Sequence, residues 1–231
     1  MMRHAVRGRR CRVPKPTPML DGYIPPLLVV GLAGVLLAPF GFRRRAPDWT
    51  AAAAIIVVLA AATAALELQM GRPPAYTKGP VRVWMGDVQS DQNSQQLADP
   101  YTFTHVIHGA LFYGITRLAL GPSRPALRAA VAVGLESAWE ALENTNMVID
   151  RYRAATVSLG YYGDSVLNSM ADVVACLLGF LLAWRLPTRA TVTWVVVVEI
   201  VLAVWIRDNL TLNIVMLLYP LQAIRQWQMG G

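Results

Sequence analysis

Apolar and polar positions fall in long alternating blocks along this chain. Apolar runs cover about 49 to 70, 103 to 120, 126 to 145, 164 to 184 and 190 to 208. Each approaches the roughly 20 residues that a helix needs to cross a hydrocarbon core. Residues 23 to 42 are also apolar, but Pro25, Pro26, Gly31, Gly34 and Pro39 argue against one straight spanning helix there. The stretch from 210 to 228 is short and broken at Pro220, which predicts an interfacial or re-entrant segment. The pattern therefore predicts an all-α fold: a polytopic transmembrane helical bundle with five firm spans, a short apolar N-terminal segment and that C-terminal segment. Residues 1 to 45 would form a basic tail and short apolar extension, partly disordered, and 46 to 231 a single bundle domain.

The polar blocks differ among themselves. Arg3, Arg7, Arg9, Arg10, Arg12 and Lys15 lie among prolines in a tail that cannot bury a core and reads as solvated or headgroup-bound. A cleaved signal peptide is the competing reading of this basic-then-apolar start, although no clean small-x-small site follows before Arg43. The segment from 71 to 100, with prolines, glycines and the run Gln89 to Gln96, has no apolar period and is expected to be aqueous.

Composition supports lipid over water, with 55% hydrophobic and 15% charged residues. The formal charge of +7 does not indicate nucleic acid, because the arginines cluster beside apolar runs and not along an aromatic-interleaved stripe. Membrane lipids are the expected partners. Cys11 lies in the tail and Cys176 inside an apolar run, so a disulfide is not expected.

Arginine placement gives an orientation, since cytoplasmic loops are enriched in Lys and Arg. Arg117, Arg124 and Arg128 join the second and third runs, and Arg185 and Arg189 the fourth and fifth. Both connections belong inside. The 71 to 100 loop balances Arg72, Lys78 and Arg82 against Asp87, Asp91 and Asp99, and belongs outside with the connection near 150. A multi-pass protein of a bacterial inner (plasma) membrane is the expected setting.

With that topology, polar faces of three helices meet in the outer half. His105 and His108 are one turn apart; Glu136, Glu140 and Glu143 share a face and lead to Asn144; Asp164, Asn168 and Asp172 recur every four residues, with Ser169 beside them. The fifth run adds Glu199 near mid-depth and ends at Arg207, Asp208 and Asn209. An intramembrane acid costs about 2.5 to 3.5 kcal/mol on insertion scales, so these should face inward and pair. Simpler roles compete: Asp164 as a helix N-cap, Asp208 and Asn209 as a cap or turn, Glu143 and Asn144 as solvated helix-end groups, His105 as a satisfied interfacial histidine.

Two functional readings use the cluster. In the first, His105, His108 and Asp164 hold a divalent metal such as zinc, Glu136, Glu140 and Asp172 do catalytic proton transfer, and the substrate is a lipid or lipid-linked molecule undergoing hydrolysis or group transfer. Asn144, Asn168, Ser169, Glu199 and Arg207 complete the pocket. The His-x-x-His spacing is a weak metal signal, and the sequence holds no His-Glu-x-x-His motif. In the second, the same groups relay protons or hold a small ligand in a transporter or binding protein. A structural or interaction protein, with a polar core that only specifies packing, is the third alternative.

The segments Trp84 to Ser94, Thr104 to Tyr113, Glu136 to Asn146, Asp150 to Asn168 and Ile206 to Asn213 resemble a family of uncharacterised bacterial multi-pass inner-membrane proteins, over about residues 49 to 229. That resemblance implies a plasma-membrane location without naming an activity. It would also make the first 45 residues an extension. Many members carry a cysteine pair just after the first span, where this chain has Pro74 to Gly79, so a thiol-based role in that loop is not expected. Gly163-Asp164-Ser165 through Asn168 and Asp172 to Gly179 also resembles VanZ-like membrane proteins linked to glycopeptide resistance, which would point toward the cell envelope.

Overall fold

The computed structural model describes residues 48–156, 158 and 160–230, and within them every regular element is an α-helix. The expectations for the basic tail and the apolar segment before residue 46 lie outside the described residues. Five long helices match the five apolar runs to within two or three residues: α1 (Trp49–Gln69), α2 (Thr102–Leu120), α3 (Pro125–Glu143), α5 (Val166–Arg185) and α6 (Thr188–Ile206). Between α3 and α5 lies the short α4 (Asn146–Ala155), and after α6 come α7 (Leu210–Leu218) and α8 (Gln222–Gln228), separated at Pro220.

Local chemistry sets these boundaries. Asp48 and Thr145 accept hydrogen bonds from Ala51 and Val148 at the starts of α1 and α4. α3 opens with a proline in its first turn, where no backbone donor is needed. Ser165, and not Asp164, caps α5 by accepting from the amide of Asn168.

The distribution of polarity is inverted relative to a water-soluble bundle. Glu136, Ser137, Asn144 and Ser169 are fully buried, whereas Leu118 is 88% and Val204 78% exposed. Helix α6 buries only Leu202 and turns Val192, Val196, Val197 and Ile200 outward. Three helices, α1, α5 and α6, are long and apolar enough to cross a membrane. Of the five firm spans expected, α2 and α3 have the length, at 19 residues each and so about 28 Å, but their imidazoles, Arg128 and glutamates dilute the apolar run.

α2 and α5 form the closest pair, because glycines remove side chains at their crossing. A Cβ on Gly109 would lie 1.9 Å from the Cys176 carbonyl oxygen, and one on Gly179 would lie 1.9 Å from that of Val106. Alanines of α3 (Ala129, Ala132) meet Phe180 of α5 behind this crossing, and α1 covers the other side of α3 through Ala52 and Leu66. Small residues thus bring three backbones close and leave the longer polar side chains to fill the space between them.

The loop from 71 to 93 is exposed or half-buried apart from Met85, in keeping with an aqueous segment, but its last part departs from that expectation. Gln95, Gln96 and Asp99 are almost fully buried, because this segment folds back over one end of the bundle. Ser165 donates its amide to Ser94 and its hydroxyl to Gln95, while the Asn168 side-chain amide donates to Gln96 and that of Gln95 to Gly163. Without an apolar period of its own, the segment is held by hydrogen bonds to the start of α5. That is a tertiary effect invisible in local patterning. α4 and α7 close the same end, joined by the Arg151 guanidinium donating to the Leu217 carbonyl at 2.8 Å.

Candidate functional site

At the end covered by the loop, α2, α3 and α5 bring two imidazoles and three carboxylates together. His105 Nδ1 lies 2.6 Å from Glu136 Oε1 and 3.2 Å from Glu140 Oε1, and His105 Nε2 lies 3.8 Å from Asp172 Oδ2. His108 Nδ1 lies 3.0 Å from Glu136 Oε2. The i, i+3 spacing of the histidines and the i, i+4 spacing of the glutamates place each pair on one face, and the glycine crossing of α2 with α5 carries Asp172 into range.

Hydrogen bonding does not exhaust this cluster. One Nδ1 proton on His105 can serve Glu136 or Glu140, but not both. Both Glu140 oxygens and Asp172 Oδ1 are buried and accept no hydrogen bond from a described residue. Unsatisfied buried carboxylates are costly, so their arrangement calls for a cation, a proton or a polar ligand. Two triads have metal-ligand spacing, His105 with His108 and Glu136, and His105 with Glu140 and Asp172. A tetrahedral zinc with bonds of about 2.0 to 2.1 Å keeps its ligands about 3.3 Å apart, inside the 2.6 to 3.8 Å spread of the distances here.

The cluster forms one end of a cavity of about 390 Å³. His105, His108, Asp172 and Asn168 face it; Leu111, Phe112, Ile115, Ile214 and Leu217 make an apolar side; and Asp99, Tyr101, Glu143, Tyr152, Tyr161 and Asp164 line the rest. That volume lies in the usual range for small-molecule sites. Glu136 and Glu140 sit behind the imidazoles and reach the cavity through them.

Several expected site residues take other roles. The carboxylate of Asp164 lines the cavity but accepts from the Tyr161 hydroxyl at 3.1 Å and from the Asn144 side-chain amide at 3.2 Å, and it belongs to neither triad. Asn144 also donates to Ser169, so this pair braces α3 against α5 behind the cavity. Glu199 lies outside the cavity: its carboxylate accepts from the amides of Leu210 and Thr211, capping α7. Arg207 is exposed and donates to the Trp227 carbonyl, tying down α8. Glu199 belongs to α6 and Arg207 directly follows it, and that helix sits at the bundle's edge. Mid-helix depth does not specify which side a residue faces.

Other residues at the site escaped sequence reasoning. Asp99 accepts from the amides of Ser94 and Tyr101. Burial pushes its carboxyl up while those amides hold it down. Its place before Pro100 and a helix was the usable signal. Burial, reinforced by Asp99, pushes Asp164 up to about 6. Burial also raises the hydroxyls of Tyr101, Tyr152 and Tyr161 well above the usual range, keeping them protonated hydrogen-bond donors. Glu67 of α1 is fully buried, and neither of its oxygens accepts a hydrogen bond from a described residue.

Comparison with known proteins adds kinship to this geometry. A family described as protein of unknown function (DUF2585) matches residues 67–230, which includes every residue of the cluster. The chain belongs to the DUF2585 family. Among its relatives, a UPF0314 protein of Sphingopyxis alaskensis is 48% identical over 168 residues, covering 73% of this chain and 89% of its own. Another from Paracoccus denitrificans is 48% identical over 186 residues, covering 80% and 94%, and one from Sinorhizobium fredii is 53% identical over 152 residues, covering 66% and 77%. No solved structure matches the chain. For this DUF2585 protein, bacterial relatives and three apolar helices together fit membrane association.

Proposed function

We propose that this DUF2585 protein is a multi-pass inner-membrane protein that binds a divalent metal, zinc being the best match, and uses it to hydrolyse or transfer a group on a lipid or lipid-linked substrate. The observation that carries the reading is the pair of His/carboxylate triads with unsatisfied acid oxygens at the polar end of a half-apolar cavity. Three carboxylates and two imidazoles share one buried space, and a divalent ion would balance the charge of the acids there.

In this reading α1, α2, α3, α5 and α6 all cross the membrane. The arginine-bearing turns at 117 to 128 and 185 to 189 are cytoplasmic, and the cavity and the 71 to 100 loop face outward. A bound ion would supply Lewis acidity and an activated water. With the ion held by His105, His108 and Glu136, Glu140 would take the proton of that water and return it to the leaving oxygen, its Oε1 standing 3.2 Å from His105 Nδ1. The apolar side from Leu111 to Leu217 would receive an acyl or prenyl chain.

Metal analysis of the detergent-purified protein tests this. Near-stoichiometric zinc or another divalent ion in the wild type, lost in Glu136→Gln and Asp172→Asn but kept in Asp91→Asn at the rim, supports the proposal. A folded wild type that neither carries nor takes up a divalent ion on titration overturns it.

A further inference from the structure

The cavity's charge is one-sided beyond the metal cluster. Asp99, Glu143, Asp164 and Asp172 face it, and none of the described lining residues is Lys or Arg. The only lysine-paired acid there is Asp91 at the rim, bonded to Lys78 at 2.9 Å. Two arginines outside the lining fix the backbone of the wall, Arg72 donating to the Tyr162 carbonyl and Arg153 to that of Tyr161, and among the described residues neither forms an ion pair with a lining acid.

The acids of the outer half also stand among aromatic rings. Tyr161 bonds Asp164, Tyr152 lies beside Glu143, and the two tyrosine rings meet edge to face at 5.3 Å. Tyr101 follows Asp99 on the same wall, its hydroxyl donating to Asp208. Carboxylates set among tyrosine side chains form the chemistry that recognises an organic ammonium, by charge and, where a ring presents its face, by cation–π attraction. The same surface repels a phosphate or carboxylate head.

We propose that the ligand of this cavity is a cationic amphiphile, an amine- or ammonium-bearing head seated among Glu143, Asp164, Tyr152 and Tyr161 with its hydrocarbon chain along Leu111, Ile115 and Leu217. This deepens the metal-hydrolase reading by naming the substrate class, and rests on it only for the reaction.

The test compares dodecyltrimethylammonium, dodecanol and dodecanoate by isothermal titration of the full-length protein in maltoside micelles, as purified and after chelation. The ammonium should bind at least roughly tenfold more tightly than the carboxylate in both states, and Glu143→Gln should weaken it by a similar factor without weakening dodecanol. Asp164→Asn serves as the second variant should Glu143→Gln fail to fold, and the wild-type selectivity needs no variant. Cation preference in a protein that holds no metal upholds this inference while the hydrolase reading falls. Equal or tighter dodecanoate binding after chelation overturns the inference even where metal is present.

Discussion

Replacing Gly179 with alanine perturbs both the packing and the chemistry of this bundle. The added Cβ would lie 1.9 Å from the Val106 carbonyl oxygen, a backbone atom that no rotamer change can move. Reaching an ordinary contact of about 3.4 Å requires α2 and α5 to separate by about 1.5 Å. Overpacking of this kind costs roughly 1 to 3 kcal/mol, with the upper end apt where backbone meets backbone. At that upper end, about 3 kcal/mol, a chain of this size would fall by about 6 to 12 °C in melting temperature. The same separation would stretch the 3.8 Å approach of His105 Nε2 to Asp172 Oδ2 toward about 5 Å, so under the proposed metal-binding reading metal content should fall together with stability. Gly114, also on α2 but with nothing within 4 Å of its Cβ, is the control. Its change to alanine should be neutral or stabilise by about 0.5 to 1 kcal/mol, because alanine loses less backbone entropy in a helix. The assay is thermal unfolding in detergent by circular dichroism, paired with metal analysis of the same samples. A Gly179→Ala protein that melts within a degree or two of wild type and holds its metal would refute the close crossing and the site geometry derived from it.

Further predictions concern the elements around the site. Burial pushes Asp208 from the usual 3.8 up to about 6. Because the folded state keeps this proton longer than the unfolded chain, the contribution of Asp208 to stability is full below about 4 and is lost as pH rises through about 6; Asp208→Asn should reduce the slope of melting temperature against pH over that interval, leaving the part due to Asp164. Gln95→Ala removes donors to the Gly163 and Ser94 carbonyls and should cost about 1 to 2 kcal/mol, read as faster proteolysis within residues 71–100. Glu199→Gln weakens the cap of α7 by about 1 kcal/mol and should loosen the C-terminal segment to protease while leaving metal content unchanged. Loss of metal in that variant would restore Glu199 to the pocket.

Hydropathy blocks located the long helices to within two or three residues, because burying a helix in lipid or beside other apolar helices needs an uninterrupted apolar run, and capping residues such as Asp48 and Ser165 set the ends. The three-to-four-residue spacing of His105 with His108, Glu136 with Glu140 and Asn168 with Asp172 likewise fixed which polar groups share a face, since that follows from helical geometry within one segment. Which faces meet was decided only in three dimensions. The glycine crossing of α2 and α5 turns His105 toward Asp172, whereas the peripheral position of α6 leaves Glu199 to cap α7 and Arg207 to hold α8. Gln95, Gln96 and Asp99 show the same division. Their run looked aqueous because it has no apolar period, yet it is buried through long-range hydrogen bonds to the start of α5, partners some 70 residues away that no local pattern can announce.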